Sequence, residues 1–203
     1  MEFLGGIRGL AGFCRGLFFL APLGLTHLID PHLNSSVVSN IVEGVIRIGI
    51  FLVYLGAMNL IPEVRRVFAY HGAEHKTVNA YEDKAPMEVE AVRRYSTAHV
   101  RCGTAFLFTV LLLAIVVFAL VGHPVMWLRI LSRILLLPVI AAVGYEITQF
   151  GARHADNTLV RVLLAPGLLL QKMTTRQPDD RQLEVAIAAL EGAIEADQLE
   201  ESG

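Results

Sequence analysis

Covalent cross-linking has little to act on in this chain. It holds two cysteines, Cys14 and Cys102, far apart in sequence. That excludes a disulfide framework, and both read as free thiols. Charge is scarce as well: Asp, Glu, Lys and Arg make up 18% of 203 residues, against about 25% in a soluble domain. The signs nearly cancel, with 17 Lys and Arg against 19 Asp and Glu and a formal net charge of -2. A general nucleic-acid binder needs a basic face, so that class is excluded. Internal repeats and low-complexity tracts are absent. The start also lacks the short basic region, apolar core and small-residue cleavage site of a cleavable signal peptide.

What fills the chain instead is hydrocarbon. Hydrophobic residues make up 54%, and the mean hydropathy is +0.54. Such a balance belongs to a membrane protein. Cys102 to Leu128 contains no Asp, Glu, Lys or Arg. Since about 20 apolar residues cross the hydrocarbon core as a helix, Cys102 to Val121 reads as one span. Gly122, His123 and Pro124 then make a turn. A second run, Val125 to Phe150, returns; it carries Arg129, Arg133 and Glu146, so one of its faces must look at protein or water. Val37 to Ile61 is long enough to span and is stopped by Pro62. Within it Glu43 and Arg47 are four apart, placed to pair, and Arg129 and Arg133 either pair with Glu43 across the bundle or snorkel. Leu4 to Ile29, interrupted by Arg8 and Arg15, either spans, lies in the interface or re-enters.

Loop charge sets the orientation. Pro62 to Arg101 holds seven Lys or Arg, and the tail after Phe150 holds Arg153, Arg161, Lys172, Arg176 and Arg181, whereas "DPHLNSS" (30–36) and "GHP" (122–124) hold none. The pattern predicts an all-α, polytopic bundle of about four transmembrane helices with both termini cytoplasmic. Its parts are amino-terminal membrane helices over 1–61, a cytoplasmic helical loop over 62–101, a transmembrane hairpin over 102–150, an interfacial or re-entrant segment over 151–177, broken at Pro166 and Gly167, and a cytoplasmic amphipathic helix over 178–203. That last helix opens on Pro178, Asp179 and Asp180, as a helix start should. Leu183, Ile187, Leu190 and Ile194 recur along it at helical spacing, which suits docking on the same chain or on a partner.

Between the apolar runs stands "YHGAEHK", Tyr70 to Lys76. On a helix His71, Glu74 and His75 share one face. H-x-x-E-H is the inverted form of the zinc-peptidase motif, in which two imidazoles bind the metal and the carboxylate acts as base on metal-bound water. Neutral imidazoles suit Zn²⁺, which lowers the pKa of its water towards 7. A third protein ligand is required, and Glu82, His99, Cys102 and Glu146 are those within reach. The bland alternative is a polar collar where a helix leaves the membrane, with Cys102 a small buried thiol and Tyr70, Tyr81, Tyr95 and Tyr145 an aromatic belt.

Four blocks carry a wider resemblance: "YHGAEHKTVNAYE" (70–82), "HVRCGTAFLF" (99–108), "WLRILSRILLLPVIAAVGYE" (127–146) and "APGLLLQKMTTRQPDDRQLEVAIAAL" (165–190). Together, and in this order, they resemble the YqhQ family of bacterial membrane proteins, commonly described as metal-dependent enzymes of unknown function. The resemblance implies a bacterial cytoplasmic membrane protein with a divalent metal such as zinc, and carries roles onto His71, Glu74, His75, Glu82, His99, Cys102 and Glu146. Two departures stand out: Val100 lies where family members usually have Pro, and the chain starts almost directly at its first apolar region, without their longer Gly-rich polar segment. Two functions are therefore expected. One is a membrane-embedded metal-dependent hydrolase acting on a membrane peptide or lipid, with Glu74 as base. The other is a non-enzymatic membrane subunit whose polar cluster is structural. The implied partners are the bilayer and a membrane protein or second copy.

Overall fold

The computed structural model describes residues 12, 16–33, 35–122, 125–154 and 157–202. Within them the secondary structure is helical, with no strand. A π-helical turn at Gly16–Leu20 leads into α1 (Ala21–Ile29), and α2 (Ser36–Met58), α3 (Pro62–Glu82), α4 (Val89–Val92), α5 (Gly103–Val121), α6 (Met126–Arg153), α7 (Thr158–Thr174) and α8 (Asp180–Ser202) follow. The chain forms two compact units, one of residues 1–55 and 106–150, the other of 56–105 and 151–203.

The first unit is built from apolar helices. Three helices are long and apolar enough to cross a membrane: Ser36–Met58, Gly103–Val121 and Ile130–Arg153. Only 22%, 17% and 11% of their spanning windows are buried, so most of that apolar surface faces outward. Four spans were expected. The described part of the fourth, 16–29, is a π-helical turn and a nine-residue helix, short of the roughly 20 residues a span takes; the rest of that expectation lies outside the described residues, as do Cys14, His123 and Pro124.

Small residues bring these helices together, as is usual where no water drives association. A methyl added to Gly44 would lie 2.3 Å from an Ile115 side-chain carbon, and one added to Gly144 would lie 3.0 Å from Val110. Around the second crossing Ala114, Phe118 and Ile140 form a buried core. Asn40 donates through Nδ2 to the carbonyl of Gly122 (2.9 Å), which satisfies a carbonyl just past the end of α5.

The second unit is more polar. α3 begins at Pro62, which suits a first helical position because its missing N–H is one that no helix could use. Asp179 and Gln182 close α8 at its start: Gln182 N–H donates to Asp179 Oδ1 and Asp179 N–H to Gln182 Oε1, both at 2.9 Å. This is the reciprocal capping box. The apolar stripe it sets in register docks on the same chain, with Leu183 and Ile187 buried against Ala73, Ala80 and Val92. One expectation is corrected here. Pro166 and Gly167 do not break the segment, since α7 runs unbroken from Thr158 to Thr174. A methyl on Gly167 would meet Ala105 at 3.2 Å, so the glycine serves close packing rather than a turn.

Candidate metal centre

Three segments of the second unit meet at the motif: α3, the loop 93–102, and the chain leaving α7. α3 carries His71 and His75 one turn apart, with ring centroids 4.3 Å from each other. His71 Nδ1 donates to the carbonyl of Thr174 (2.8 Å) and His75 Nδ1 to that of Thr97 (2.6 Å). A carbonyl only accepts, so each ring must carry its proton on Nδ1. In the neutral form of each ring, Nε2 then keeps its lone pair. Cys102 supplies the third group, its Sγ 3.5 Å from His71 Nε2. One ligand atom from each of His71, His75 and Cys102 lies within 4.8 Å of the others.

The loop is held by side chains that donate to its carbonyls. The buried Lys76 ammonium donates to Arg93 O (2.7 Å) and Tyr95 O (2.5 Å). Asn79 Nδ2 reaches Ser96 O (3.0 Å) and Ala98 O (3.1 Å). Gln171, fully buried on α7, takes both backbone groups of His99: it accepts from the N–H at 2.9 Å and donates to the carbonyl at 2.7 Å. Sequence reasoning missed this residue, because a glutamine beside Lys172 at the end of an apolar helix looks like an ordinary polar terminus.

The other expected ligands go elsewhere. His99 donates through Nε2 to Glu82 (3.3 Å) while its Nδ1 accepts from the Arg101 N–H (3.3 Å). Glu82 also pairs with Arg101 (3.0 Å). His99 is thus a neighbour of His75, with ring centroids 5.9 Å apart, rather than a member of the convergent three. Glu74 is exposed and lines a cavity of about 390 Å³ between α3 and α8, beside Tyr70 and Val185. Glu146 is exposed on α6, in the first unit.

Electrostatics sharpen the cluster. Burial pushes the Cys102 thiol up, but hydrogen bonds from His71, His75 and Thr104 outweigh it and bring it down from 9.0 to about 5. The Thr104 N–H, 3.4 Å from the sulfur, is a free donor at the start of α5. The bond to Cys102 raises His71, against a smaller lowering by burial. Both shifts favour a thiolate beside an imidazolium, with the shared proton towards His71 Nε2. The stability carried by the thiolate is complete above the ordinary thiol range and is lost as pH falls through about 5; that carried by the imidazolium is complete below 6.5 and is lost as pH rises past the raised His71 value. In metal-stripped Cys14→Ser protein the ultraviolet absorbance of thiolate should rise with a midpoint near pH 5, and His71→Ala should move that midpoint upward. An unshifted midpoint near 9.0 would show that the dyad does not form.

Apolar helices long enough to cross a membrane, joined to an imidazole–thiol cluster, define an α-helical membrane protein with a candidate metal centre. Residues 8–196 match the family model described as "Protein of unknown function (DUF1385)", and the chain belongs to that family. It is similar to "Uncharacterized protein YqhQ" of Bacillus subtilis (strain 168), with 34% identity over 189 residues, 93% of this chain and 59% of that protein. The resemblance read from the four blocks is borne out; the chain spans less than two thirds of that relative. No solved structure matches the chain.

Proposed function

We propose that His71, His75 and Cys102 hold one divalent ion of the zinc class, and that the ion activates water for hydrolysis of a membrane peptide or lipid. The observation that carries this reading is the pair of Nδ1 bonds to Thr174 O and Thr97 O. Metal-binding histidines commonly donate their other ring N–H to a carbonyl or carboxylate, which fixes the tautomer and aims the lone pair. Thiolate and imidazole donors suit Zn²⁺. Three protein ligands, rather than four, are the pattern of sites that keep a position open for water. Glu74 remains the candidate base: it adjoins His75 in the chain and is close enough to His71 to raise its pKa. Its exposure on the α3–α8 side is the observation that favours the second reading, a structural ion in a non-enzymatic membrane subunit.

Detergent-purified protein should carry near-stoichiometric metal, and His71→Ala/His75→Ala should carry none. Equally little metal in both ends the proposal. Glu74→Gln should keep the metal. If wild type, but not Glu74→Gln, alters the lipids or peptides of bacterial membranes incubated with it, the ion is catalytic; if neither does, it is structural.

The site would face the cytoplasm of a bacterial cell, with both termini on the same side. The Lys and Arg content of 62–101 and of the tail supports this orientation. In a Cys14→Ser background, a membrane-impermeant maleimide should label Ser35→Cys in intact cells and leave Glu88→Cys unlabelled. The reverse pattern overturns the orientation.

A further inference from the structure

In the first unit two buried arginines have a carboxylate between them: Glu43 accepts from Arg47 (2.6 Å) and from Arg133 (2.7 Å). Two cations of the second unit are placed differently. Arg161 and Lys172 stand on α7, which contains no Asp or Glu. Both are exposed, and among the described residues neither the guanidinium nor the ammonium makes a hydrogen bond or ion pair. One face of α7 carries both. Arg161, Val162, Ala165, Leu168, Leu169 and Lys172 follow one another at helical spacing. Together with Ala98 they line a groove of about 450 Å³ that no acidic side chain borders. Leu159, Val162, Leu163 and Leu169 are each more than half exposed, whereas Leu170, Gln171 and Thr174 are buried against the rest of the unit. Exposed apolar side chains beside cations, without acids, are the pattern of a helix that lies in the membrane interface.

Packing puts α7 at that level. The three helices long enough to cross a membrane each have one terminus in the second unit, at Met58, Gly103 and Arg153. α7 meets all three. Met173 O accepts from Asn59, one residue past α2, at 2.6 Å. A methyl on Gly167 would meet Ala105, two residues into α5, at 3.2 Å. One on Gly151, two residues from the end of α6, would meet Leu164 at 2.9 Å. A helix that crosses a bilayer ends at its surface. A helix that touches three such ends along its own length therefore lies across that surface.

We infer that the outward face of α7 binds the anionic phospholipids of the leaflet it lies on. Leu159, Val162, Leu163 and Leu169 enter the acyl boundary, and Arg161 and Lys172 each take a headgroup phosphate. Long basic side chains reach this level by laying their stems along apolar surface. The two cations are eleven residues apart, about 16 Å along the helix, which suits separate headgroups rather than one chelated phosphate. A zwitterionic headgroup carries a cation of its own beside the phosphate, so the charge match is to lipids of net negative charge.

The test uses the full chain in nanodiscs of phosphatidylcholine and phosphatidylglycerol in equal amounts, with one of the two lipids brominated in its acyl chains. Trp127 is the one tryptophan of the chain. In Trp127→Phe/Leu163→Trp the remaining indole reports, through quenching by bromine, which lipid sits beside α7. Brominated phosphatidylglycerol should quench it more strongly, with a relative binding constant about fivefold or more in its favour, the factor for one engaged cation. Adding Arg161→Gln/Lys172→Gln should bring that ratio close to one, and adding Arg161→Lys should retain it. Salt at about 1 M, where the screening length is about 3 Å, should lower the ratio in the parent protein. Gel filtration reports whether each variant folds. The inference is overturned by equal quenching from the two lipids, or by no quenching from either, as a second copy or another protein covering this face would produce. It is also overturned by a preference that Arg161→Gln/Lys172→Gln leaves unchanged or, should that variant not fold, one that high salt leaves unchanged.

Discussion

Gly72→Ala should weaken the binding of the metal proposed for His71, His75 and Cys102. Helix propensity alone points the other way, since alanine in a helix interior is favoured over glycine by up to about 1 kcal/mol. Packing decides the sign. A Cβ on Gly72 would sit 2.1 Å from the carbonyl oxygen of Arg176, and that obstacle is backbone. It cannot readily swing aside, because the segment leading into the contact is pinned. Arg176 N–H donates to Phe68 O (2.9 Å), Met173 O accepts from Asn59 (2.6 Å), and Thr174 O accepts from His71 (2.8 Å). To admit one methyl group, the segment after α7 must lift from α3, and Thr174 O must leave His71. Overpacking of this kind costs about 1–3 kcal/mol, and loss of the carbonyl that aims a ligand typically weakens metal binding about 10–100-fold. Metal retention through a chelating column and a thermal unfolding curve would measure both. A Gly72→Ala protein that keeps its metal and unfolds at the wild-type temperature would falsify this account of the segment.

Glu43→Leu should be the most destabilising single change in the first unit. The carboxylate is the group between two guanidiniums, and removing one member of a buried ionic set costs about 3–5 kcal/mol, because the remaining charge stays buried without compensation. The decisive comparison is with Glu43→Leu/Arg47→Met/Arg133→Met. Replacing a whole buried ionic set by apolar groups of similar volume is often neutral or stabilising, so this variant should regain what the single change lost. Thermal unfolding in one detergent orders the three proteins. If the single change is harmless, or the triple change is worse than the single, the arginines are not held by Glu43 in the way their distances indicate.

Much of the fold was legible because hydrocarbon leaves few choices. The uncharged run after Cys102 became Gly103–Val121, and the acid pair before Leu183 became a capped helix start. The pairing of Glu43 with Arg47 followed from a four-residue spacing. Arg133 completed it as one of two alternatives, while the side chain of Arg129 lies outside the described residues. The motif put His71, Glu74 and His75 on one face; the two imidazoles do meet, because a single helix sets that relation, while Glu74 is exposed on the side of α8. Which of Glu82, His99, Cys102 and Glu146 comes together with the two imidazoles was not legible. It depends on how the loop 93–102 closes, and there helical spacing does not apply. His99 and Cys102 are three apart in sequence, but neither is helical, so one turns to Glu82 and the other to His71. Gln171 and Gly72 carry no pattern at all. Each matters through a backbone group some 70 to 100 positions away.

The 31 residues from His71 to Cys102 have a meaning beyond ligand geometry. An ion shared by these two residues would close that stretch into a loop, as a covalent cross-link does. By the chain-entropy relation for cross-links, a loop of this length removes about 3–4 kcal/mol of disorder from the unfolded chain. Unlike a disulfide, the closure would survive a reducing compartment and would open when the ion is withdrawn. The lifetime of the folded second unit would then follow the supply of free metal in the cell.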